Sequence, residues 1–223
     1  MKISLSRRLV SEFLGTAFLV AAVVGSGIMG ERLAGGNVAI ALLANTIATA
    51  AALAALILTL RPISGAHFNP IVSVTEAFVG EMNWGEACFY AIAQITGGIF
   101  GAACANIMFA LPAFSVSHHV RTGTSQWFSE FVATFGLILI IRGCSRFDSQ
   151  WVPIAVAAYI AAAYWFTAST SFANPAVTIA RSLSDTFAGI RPVDVLPFIG
   201  AQICGGFSAI LVFEWLGAKS SDA

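Results

Sequence analysis

The sequence predicts an all-α membrane protein with six transmembrane helices and two half-membrane re-entrant helices, arranged as an inverted repeat. Three observations support this prediction. Of the 223 residues, 58% are hydrophobic and 10% are charged, whereas soluble domains carry about 25% charged residues. The apolar residues form long segments, and two Asn-Pro motifs each begin a much shorter one. The second half of the chain also repeats features of the first.

Six apolar segments approach or exceed the roughly 20 helical residues that a hydrocarbon core requires. They lie at about 9–29, 38–60, 85–110, 126–141, 152–168 and 195–216. The first follows a short basic start and is too long for a cleaved signal peptide. We therefore interpret it as a retained first span.

Two Asn-Pro motifs, at Asn69 and Asn174, predict helix starts, because Asn is a favoured N-cap and Pro is favoured at the first helical position. The apolar runs that follow end near residues 80 and 185. Each leaves about 11 helical residues, or ~16 Å, which is half of a ~30 Å hydrocarbon core. Irregular polar backbone precedes both motifs, and such backbone occurs at membrane depth only when protein buries it or it lines a cavity. We therefore predict two half-helices.

An internal repeat relates the two halves of the chain. Residues 11–16 match residues 129–134, the Asn-Pro motifs match each other, and residues 93–98 match residues 201–206, at offsets of 118, 105 and 108 residues. Each unit contains an odd number of spans, so the second copy is inverted and the half-helices meet near the midplane. We expect a single transmembrane domain over residues 1–223, made of two inverted repeats at about 9–110 and 126–216.

The distribution of Lys and Arg predicts that both termini are cytoplasmic, since basic residues are enriched on that side. In this orientation seven basic residues are cytoplasmic and four are external. The cytoplasmic set is Lys2, Arg7, Arg8, Arg61, Arg142, Arg146 and Lys219, and the external set is Arg32, Arg121, Arg181 and Arg191.

The paired Asn residues predict a site at the membrane centre. Each opposed helix N-terminus carries about half a positive charge, which repels cations. If each Asn oxygen caps its own helix, its amide NH2 is left free to point into a lumen. The preceding backbone offers carbonyls to a polar neutral solute. The expected lining residues are Gly65, Ala66, His67, Phe68, Phe172 and Ala173.

Two acidic residues, Glu12 and Glu130, lie inside the first span of each repeat, where a charge costs about 2.5–3.5 kcal/mol. One interpretation is a pair of proton sites in a coupled transporter. We favour a structural role, in which these buried acids accept hydrogen bonds from the N–H groups of the Asn-bearing loops. Thr16 and Thr134, four residues further on, could share that task. The Gly-Gly pairs within residues 93–98 and 201–206 predict close helix crossings.

These motifs resemble the aquaporin and aquaglyceroporin family over essentially the whole chain. The resemblance rests on Glu-x-x-x-Thr in both first helices, Ser-Gly-x-His-Phe-Asn-Pro, Asn-Pro-Ala, and the two Ala-Gln-x-x-Gly-Gly motifs. It implies the aquaporin fold and a homotetramer in the inner (plasma) membrane, with one pore per protomer that passively conducts small neutral solutes. No enzyme activity, cofactor, metal or nucleic-acid partner is implied. The implied central constriction comprises Asn69, Pro70, Ile71, Asn174, Pro175 and Ala176, with Ile71 replacing the usual Ala.

The resemblance also implies an outer selectivity filter, which in this family is completed by an Arg directly after the second Asn-Pro-Ala. Here that position is Val177. Spacing from the Asn residues carries the other filter positions to Thr49, Ala162 and Ser171. This set is small and uncharged, so we expect a wide constriction. Arg181, one helical turn beyond, either places its guanidinium at the mouth or extends to the membrane interface.

A Val at this position is similar to the aquaglyceroporins found with bacterial arsenic-resistance genes. The implied solutes are glycerol-like polyols, arsenite as its neutral hydroxide, methylated arsenicals and some water. One alternative is a general glycerol or water channel. A more remote one is a proton-coupled secondary transporter that uses Glu12 and Glu130.

Overall fold

The computed structural model describes residues 3–217, which contain eight α-helices, one short 3-10 turn and no strand. Lys2 and Lys219, which the orientation prediction counts, lie outside this range. The helices in chain order are α1 (Leu5–Leu33), α2 (Val38–Ser64), α3 (Pro70–Phe78), α4 (Trp84–Met108), α5 (Thr124–Phe147), α6 (Val152–Phe166), α7 (Pro175–Arg181) and α8 (Pro192–Leu216). The all-helical fold predicted from the sequence is confirmed.

Five of the described helices, α1, α2, α4, α5 and α8, are long and apolar enough to cross a membrane. The remaining predicted span, α6, has 15 residues, a rise of about 22 Å. The 3-10 turn Ser149–Trp151 precedes it directly and lengthens the ordered segment. Large apolar side chains are exposed along the long helices, as in a chain that faces lipid. They include Phe18, Leu58, Phe100, Phe128, Leu196 and Trp215.

The two short helices begin where the Asn-Pro motifs predict and end earlier than predicted. α3 has 9 residues and α7 has 7. The chain turns after α3 at Gly80, whose φ of 84° is left-handed and suits glycine. After α7, the carbonyls of Ser182 and Leu183 accept hydrogen bonds from the backbone of the loop before α5. That pairing replaces the continuation of the helix.

The helix α2 continues to Ser64, four residues beyond the predicted end at residue 60. The Arg61-Pro62 pair favoured an earlier end, since Pro lacks the N–H that continues a helix. Because Pro62 lies in the last turn, its missing N–H costs the helix only one hydrogen bond. The helix ends where Gly65 adopts a φ of 92° and donates its N–H to the carbonyl of Arg61.

The predicted close crossings at the Gly-Gly pairs are confirmed. The helix α1 packs most extensively on α4, and α5 packs in the same way on α8. A Cβ at Gly97 would lie 2.3 Å from the Phe13 carbonyl oxygen, and one at Gly205 would lie 2.4 Å from the Phe131 carbonyl oxygen. Both distances are far below van der Waals contact, so only glycine permits the two backbones to approach.

We expect the substitution Gly205→Ala to destabilise the protein by about 1–3 kcal/mol, because the new methyl group overpacks the α5–α8 crossing. Thermal unfolding in detergent would measure the loss as a lower Tm. Gly200→Ala on the same helix is the matched control, because a Cβ there meets no atom within 4 Å. An equal loss of Tm in both variants would contradict the crossing as the cause.

Candidate solute pathway

A cavity of about 250 Å³ extends along the helices, between α2, α5 and α6 on one side and the two Asn-bearing loops on the other. The residues that α2 and α6 contribute recur every four positions, which places them on one face of each helix. They are Thr49, Leu53, Ile57 and Arg61 on α2, and Val152, Val156, Ile160 and Tyr164 on α6. Each row extends over thirteen residues, and its two ends are about 18 Å apart along the helix. This wall is mostly apolar.

The opposite wall is backbone. All six residues expected to line a lumen, from Gly65 to Phe68 and at Phe172 and Ala173, lie at the cavity. In both loops the residues one and three positions before the Asn are left-handed, with φ of 49° and 52° in the first loop and 48° and 52° in the second. Such a conformation costs a non-glycine residue roughly 1–2 kcal/mol. Other contacts must therefore hold these loops in place.

The carboxylate of Glu12 contacts the first loop. It accepts hydrogen bonds from the backbone N–H of His67 at 3.0 Å and of Phe68 at 2.7 Å, and from the Ser64 hydroxyl at 2.6 Å. Successive N–H groups around a left-handed residue form a concave anion site, which a carboxylate fits. Glu12 is fully buried and lies behind the loop, outside the cavity lining.

The carboxylate of Glu130 makes the equivalent contacts to the second loop. It accepts from the N–H groups of Phe172 and Ala173, both at 2.8 Å, and it too is fully buried. The two acids therefore hold the strained loops from behind and turn the loop carbonyls toward the cavity.

Two glutamines complete these sites, and the sequence analysis missed their role. Gln94 Nε2 donates to Glu12 at 2.8 Å, and Gln202 Nε2 donates to Glu130 at 2.6 Å. Both belong to the repeated Ala-Gln-x-x-Gly-Gly motif, so a polar residue inside an apolar span was the available signal. The expectation for the threonines was wrong. Thr16 donates to the backbone of its own helix, and Thr134 Oγ1 has no partner in residues 3–217.

The two Asn side chains cap their helices as predicted. Asn69 Oδ1 accepts from Ile71 N–H at 3.1 Å, and Asn174 Oδ1 accepts from Ala176 N–H at 3.0 Å. Their amides are not wholly free, which corrects the sequence-based expectation. Asn69 Nδ2 donates to the Ala173 carbonyl, and Asn174 Nδ2 donates to the carbonyl before Asn69, both at 2.8 Å. An amide has two N–H groups, so each Asn keeps one for a solute.

The other residues of the two Asn-Pro triplets do not line the cavity. Pro70, Pro175 and Ala176 are buried, and Ile71 packs in a separate apolar cluster with Ile138 and Ile210.

The substitution of Ile71 for the usual Ala is explained by the facing helix. A Cβ at Gly206 would lie only 2.7 Å from Ile71 Cγ1, so this glycine makes room for the larger side chain.

At the end of the cavity that the predicted orientation places outside, called the outer end below, Thr49, Ser171 and Val177 line the cavity, and all three are buried. Ala162 does not line the cavity. Its assignment to the filter was wrong, because it is exposed on the far face of α6. At about 100° per residue, a position two residues from both Ile160 and Tyr164 points the opposite way. The phenol side chain of Tyr164 lines the cavity instead.

Two polar contacts define this end of the cavity. The Tyr164 hydroxyl donates to Thr49 Oγ1 at 3.3 Å across the α2–α6 contact. Ser171 Oγ, on the loop side, is buried and has no hydrogen-bond partner among residues 3–217.

Arg181 lies at the cavity and is 2% exposed, so it does not extend to the membrane interface. Its guanidinium carbon is 3.4 Å from the centroid of the Phe172 ring, and its Nε donates to the Ala188 carbonyl. Arg121, which the sequence analysis missed as a site residue, lies 4.9 Å from the same ring centroid. It reaches this position from the loop between α4 and α5, and no local pattern in the sequence indicates that.

The loop between α4 and α5 is fixed over the outer end by Arg121, which donates to the carbonyls of Ser169 at 3.0 Å and Gly189 at 2.8 Å.

At the loop surface, hydrogen bonds from the backbone and ring of His118 hold the pKa of the Asp185 carboxyl below its usual range.

His67 lines the inner part of the cavity, and its Nδ1 is 3.0 Å from Ser73 Oγ. No group of three or more His, Cys, Asp or Glu side chains suited to a metal ion occurs within the described part of the chain.

A bundle of membrane-length helices that surrounds an elongated cavity, with two half-helices starting at that cavity, is the architecture of a membrane channel. Similarity to known proteins shows which family of channels this is. The chain belongs to the major intrinsic protein (MIP) family, whose sequence profile matches residues 1–150. It is 53% identical to aquaglyceroporin AqpS of Rhizobium meliloti (strain 1021) over 212 residues, which cover 95% of this chain and 91% of the relative. The protein is therefore a member of a family of membrane channels and not an enzyme.

The chain is also similar to two more distant proteins. Aquaporin AqpM of Methanothermobacter marburgensis is 30% identical over 97% of this chain and 100% of its own length. The X-ray structure of the aquaglyceroporin from Plasmodium falciparum matches with a TM-score of 0.70 at 18% identity, covering 96% of this chain and 97% of that chain. This structural likeness shows the fold.

Proposed function

We propose that this protein is a passive channel for small uncharged solutes, formed by a single domain over residues 1–223. One observation carries the proposal. The cavity has an apolar wall on α2 and α6, and an opposite wall of loop backbone and Asn amides. A polyol fits such a passage, because its C–H surface contacts one wall while its hydroxyl groups exchange hydrogen bonds with the other.

The charge distribution supports exclusion of cations. The charged residues among those that line the cavity, Arg61, Glu76 and Arg181, are at least seven residues from either Asn, toward the two ends. At the centre stand the N-termini of α3 and α7, each with about half a positive charge. A neutral solute experiences little of this field, whereas a cation is repelled.

The inverted-repeat organisation, at about 9–110 and 126–216, is supported by paired contacts. Glu12 and Glu130 hold equivalent loop atoms, and Gly97 and Gly205 form equivalent crossings. The Asn amides reach across to each other's loops, as expected for half-helices that meet from opposite faces. We further propose that the channel is a homotetramer in the inner (plasma) membrane with cytoplasmic termini.

Within the solute class, we propose glycerol-like polyols, arsenite as its neutral hydroxide, methylated arsenicals and some water. The uncharged Val177 and small Ser171 support a filter wider than one closed by an Arg at that position. Tyr164 lines the cavity where Ala162 was expected, and its phenol side chain is much larger than a methyl group. A large side chain here disfavours passage of the largest of these solutes. It therefore favours the alternative of a general glycerol or water channel.

The proton-coupled alternative is disfavoured by the positions of the acids. Glu12 and Glu130 are fully buried, bonded to loop N–H groups and absent from the cavity lining. A carboxyl group that exchanges protons with a transported solute needs access to the pathway.

The substitution Val177→Arg tests the filter. Proteoliposome swelling with a graded series of water, glycerol, arsenite and a methylated arsenical should show about tenfold slower flux for the larger solutes and nearly unchanged flux for water, since the long side chain narrows the passage. Val177→Leu is the matched control for added volume without charge. Unchanged large-solute flux in Val177→Arg, or a wild type that passes water alone, would contradict the wide filter.

A further inference from the structure

The guanidinium of Arg181 is fixed in place yet retains free donors. Its guanidinium carbon lies over the Phe172 ring, 3.4 Å from the ring centroid. Its Nε is occupied by the Ala188 carbonyl. No hydrogen bond from its two terminal nitrogens is found to any of residues 3–217, and the side chain lines the cavity.

Within residues 3–217, no carboxylate forms an ion pair with this buried cation. None of the ion pairs formed within residues 3–217 includes Arg181 or Arg121. The Phe172 ring face and the carbonyl end of α7 provide partial compensation. An unpaired buried charge is costly, and its retention at a solute pathway indicates a functional role.

The register of α7 places this charge one turn from the usual filter position. Val177 and Arg181 are four residues apart and share one face of the helix, about 6 Å apart along it. The same outer segment of the cavity carries the Tyr164–Thr49 hydroxyl pair and the unpartnered Ser171 hydroxyl. The cavity that Arg181 lines therefore also carries hydroxyl groups, which can exchange hydrogen bonds with a hydroxylated solute.

We propose that Arg181 is a specificity-determining residue of this pore. Its terminal nitrogens donate two parallel N–H bonds to neutral solutes with adjacent hydroxyl oxygens, and its charge repels cations at the outer end. The proposal rests on the proposed function as a neutral-solute channel. The proposal differs from a filter that simply lacks a cation. Val177 stands where an Arg is usual, and Arg181 supplies a positive charge one turn further out.

Two substitutions separate the geometry from the charge. Arg181→Lys keeps the charge and loses the planar pair of donors, whereas Arg181→Met loses both. Swelling rates of proteoliposomes would be measured for glycerol and for propionamide, a neutral solute of similar size without hydroxyl groups. Proton leak would be measured with an internal pH dye.

We expect both variants to lower the glycerol-to-propionamide rate ratio by about tenfold, the effect of one or two lost charge-assisted bonds. Only Arg181→Met should raise the proton leak. Arg32→Met, an exposed arginine at the end of α1, is the matched control and should change neither readout.

An unchanged glycerol-to-propionamide rate ratio in both variants would overturn the inference. If both rates also fell equally, the result would indicate a structural role for Arg181. If Arg181→Met does not assemble, the rate ratio of Arg181→Lys decides. Failure of the proposed function is distinct: the wild type would then show no glycerol flux above protein-free liposomes.

Discussion

The substitution Glu130→Ala is expected to abolish solute flux and to cost several kcal/mol of stability. It removes the acceptor for the N–H groups of Phe172 and Ala173 and for Gln202 Nε2. Each buried donor left unsatisfied costs about 1–3 kcal/mol, against a typical total stability of about 5–15 kcal/mol. The left-handed residues of the loop would also lose their support. Thermal unfolding in detergent and proteoliposome swelling would measure both effects.

Glu130→Gln is the matched control, because it keeps the shape and one acceptor oxygen but cannot release a proton. We expect reduced stability with passive glycerol flux retained, and the same result for Glu12→Gln. A coupled transporter predicts the reverse, an intact fold with transport lost. Full stability and full flux in Glu130→Ala would contradict the structural role.

The second large effect is expected for Asn174→Asp, which should convert the pore into a cation leak. Asp is as good an N-cap as Asn, so α7 should still form. The new carboxylate cannot donate to the Phe68 carbonyl. It also places a negative charge where the two half-helices together supply only about one positive charge. We expect at least about tenfold faster sodium or proton flux, measured in proteoliposomes under an imposed potential.

Asn174→Ser separates the charge from the lost donor. Serine keeps an N-cap oxygen, adds no charge and is too short to reach the opposite loop as Asn does. A small increase in leak is expected here. A leak as large as that of Asn174→Asp would show that the amide bridge, and not the central field, excludes cations.

Much of the fold could be predicted because membranes simplify the problem. Apolar length marks a span, and the N-cap preferences of Asn and Pro mark the starts of α3 and α7. The repeat then fixed how the halves face each other. The ends of the helices were harder to predict. The helix α2 continues past Pro62, and α7 stops where residues 182 and 183 pair with a distant loop.

The candidate site was predictable where one residue type has one physical use. A buried Glu beside strained backbone has few partners other than N–H groups, and the Asn caps follow from local preference. The assignment of Ala162 to the filter was wrong because an irregular loop separates α6 from Asn174, and spacing across such a loop does not fix which face of α6 a residue lies on. The four-residue row that ends at Tyr164 fixes that phase.

Contacts between distant segments were beyond reach of the sequence. The Asn69 amide bond to Ala173 joins residues 104 positions apart, and Arg121 meets the outer end through carbonyls of Ser169 and Gly189. Neither contact leaves a local pattern, because backbone carbonyls are present at every position.

The central claim is that neutral solutes cross passively along the cavity between the Asn residues. Glycerol flux in proteoliposomes, measured over a wide concentration range with and without a proton gradient, tests it most directly. The predicted result is a rate that rises linearly with concentration and does not change with the gradient. A rate that saturates and follows the proton gradient would contradict the channel and support coupled transport.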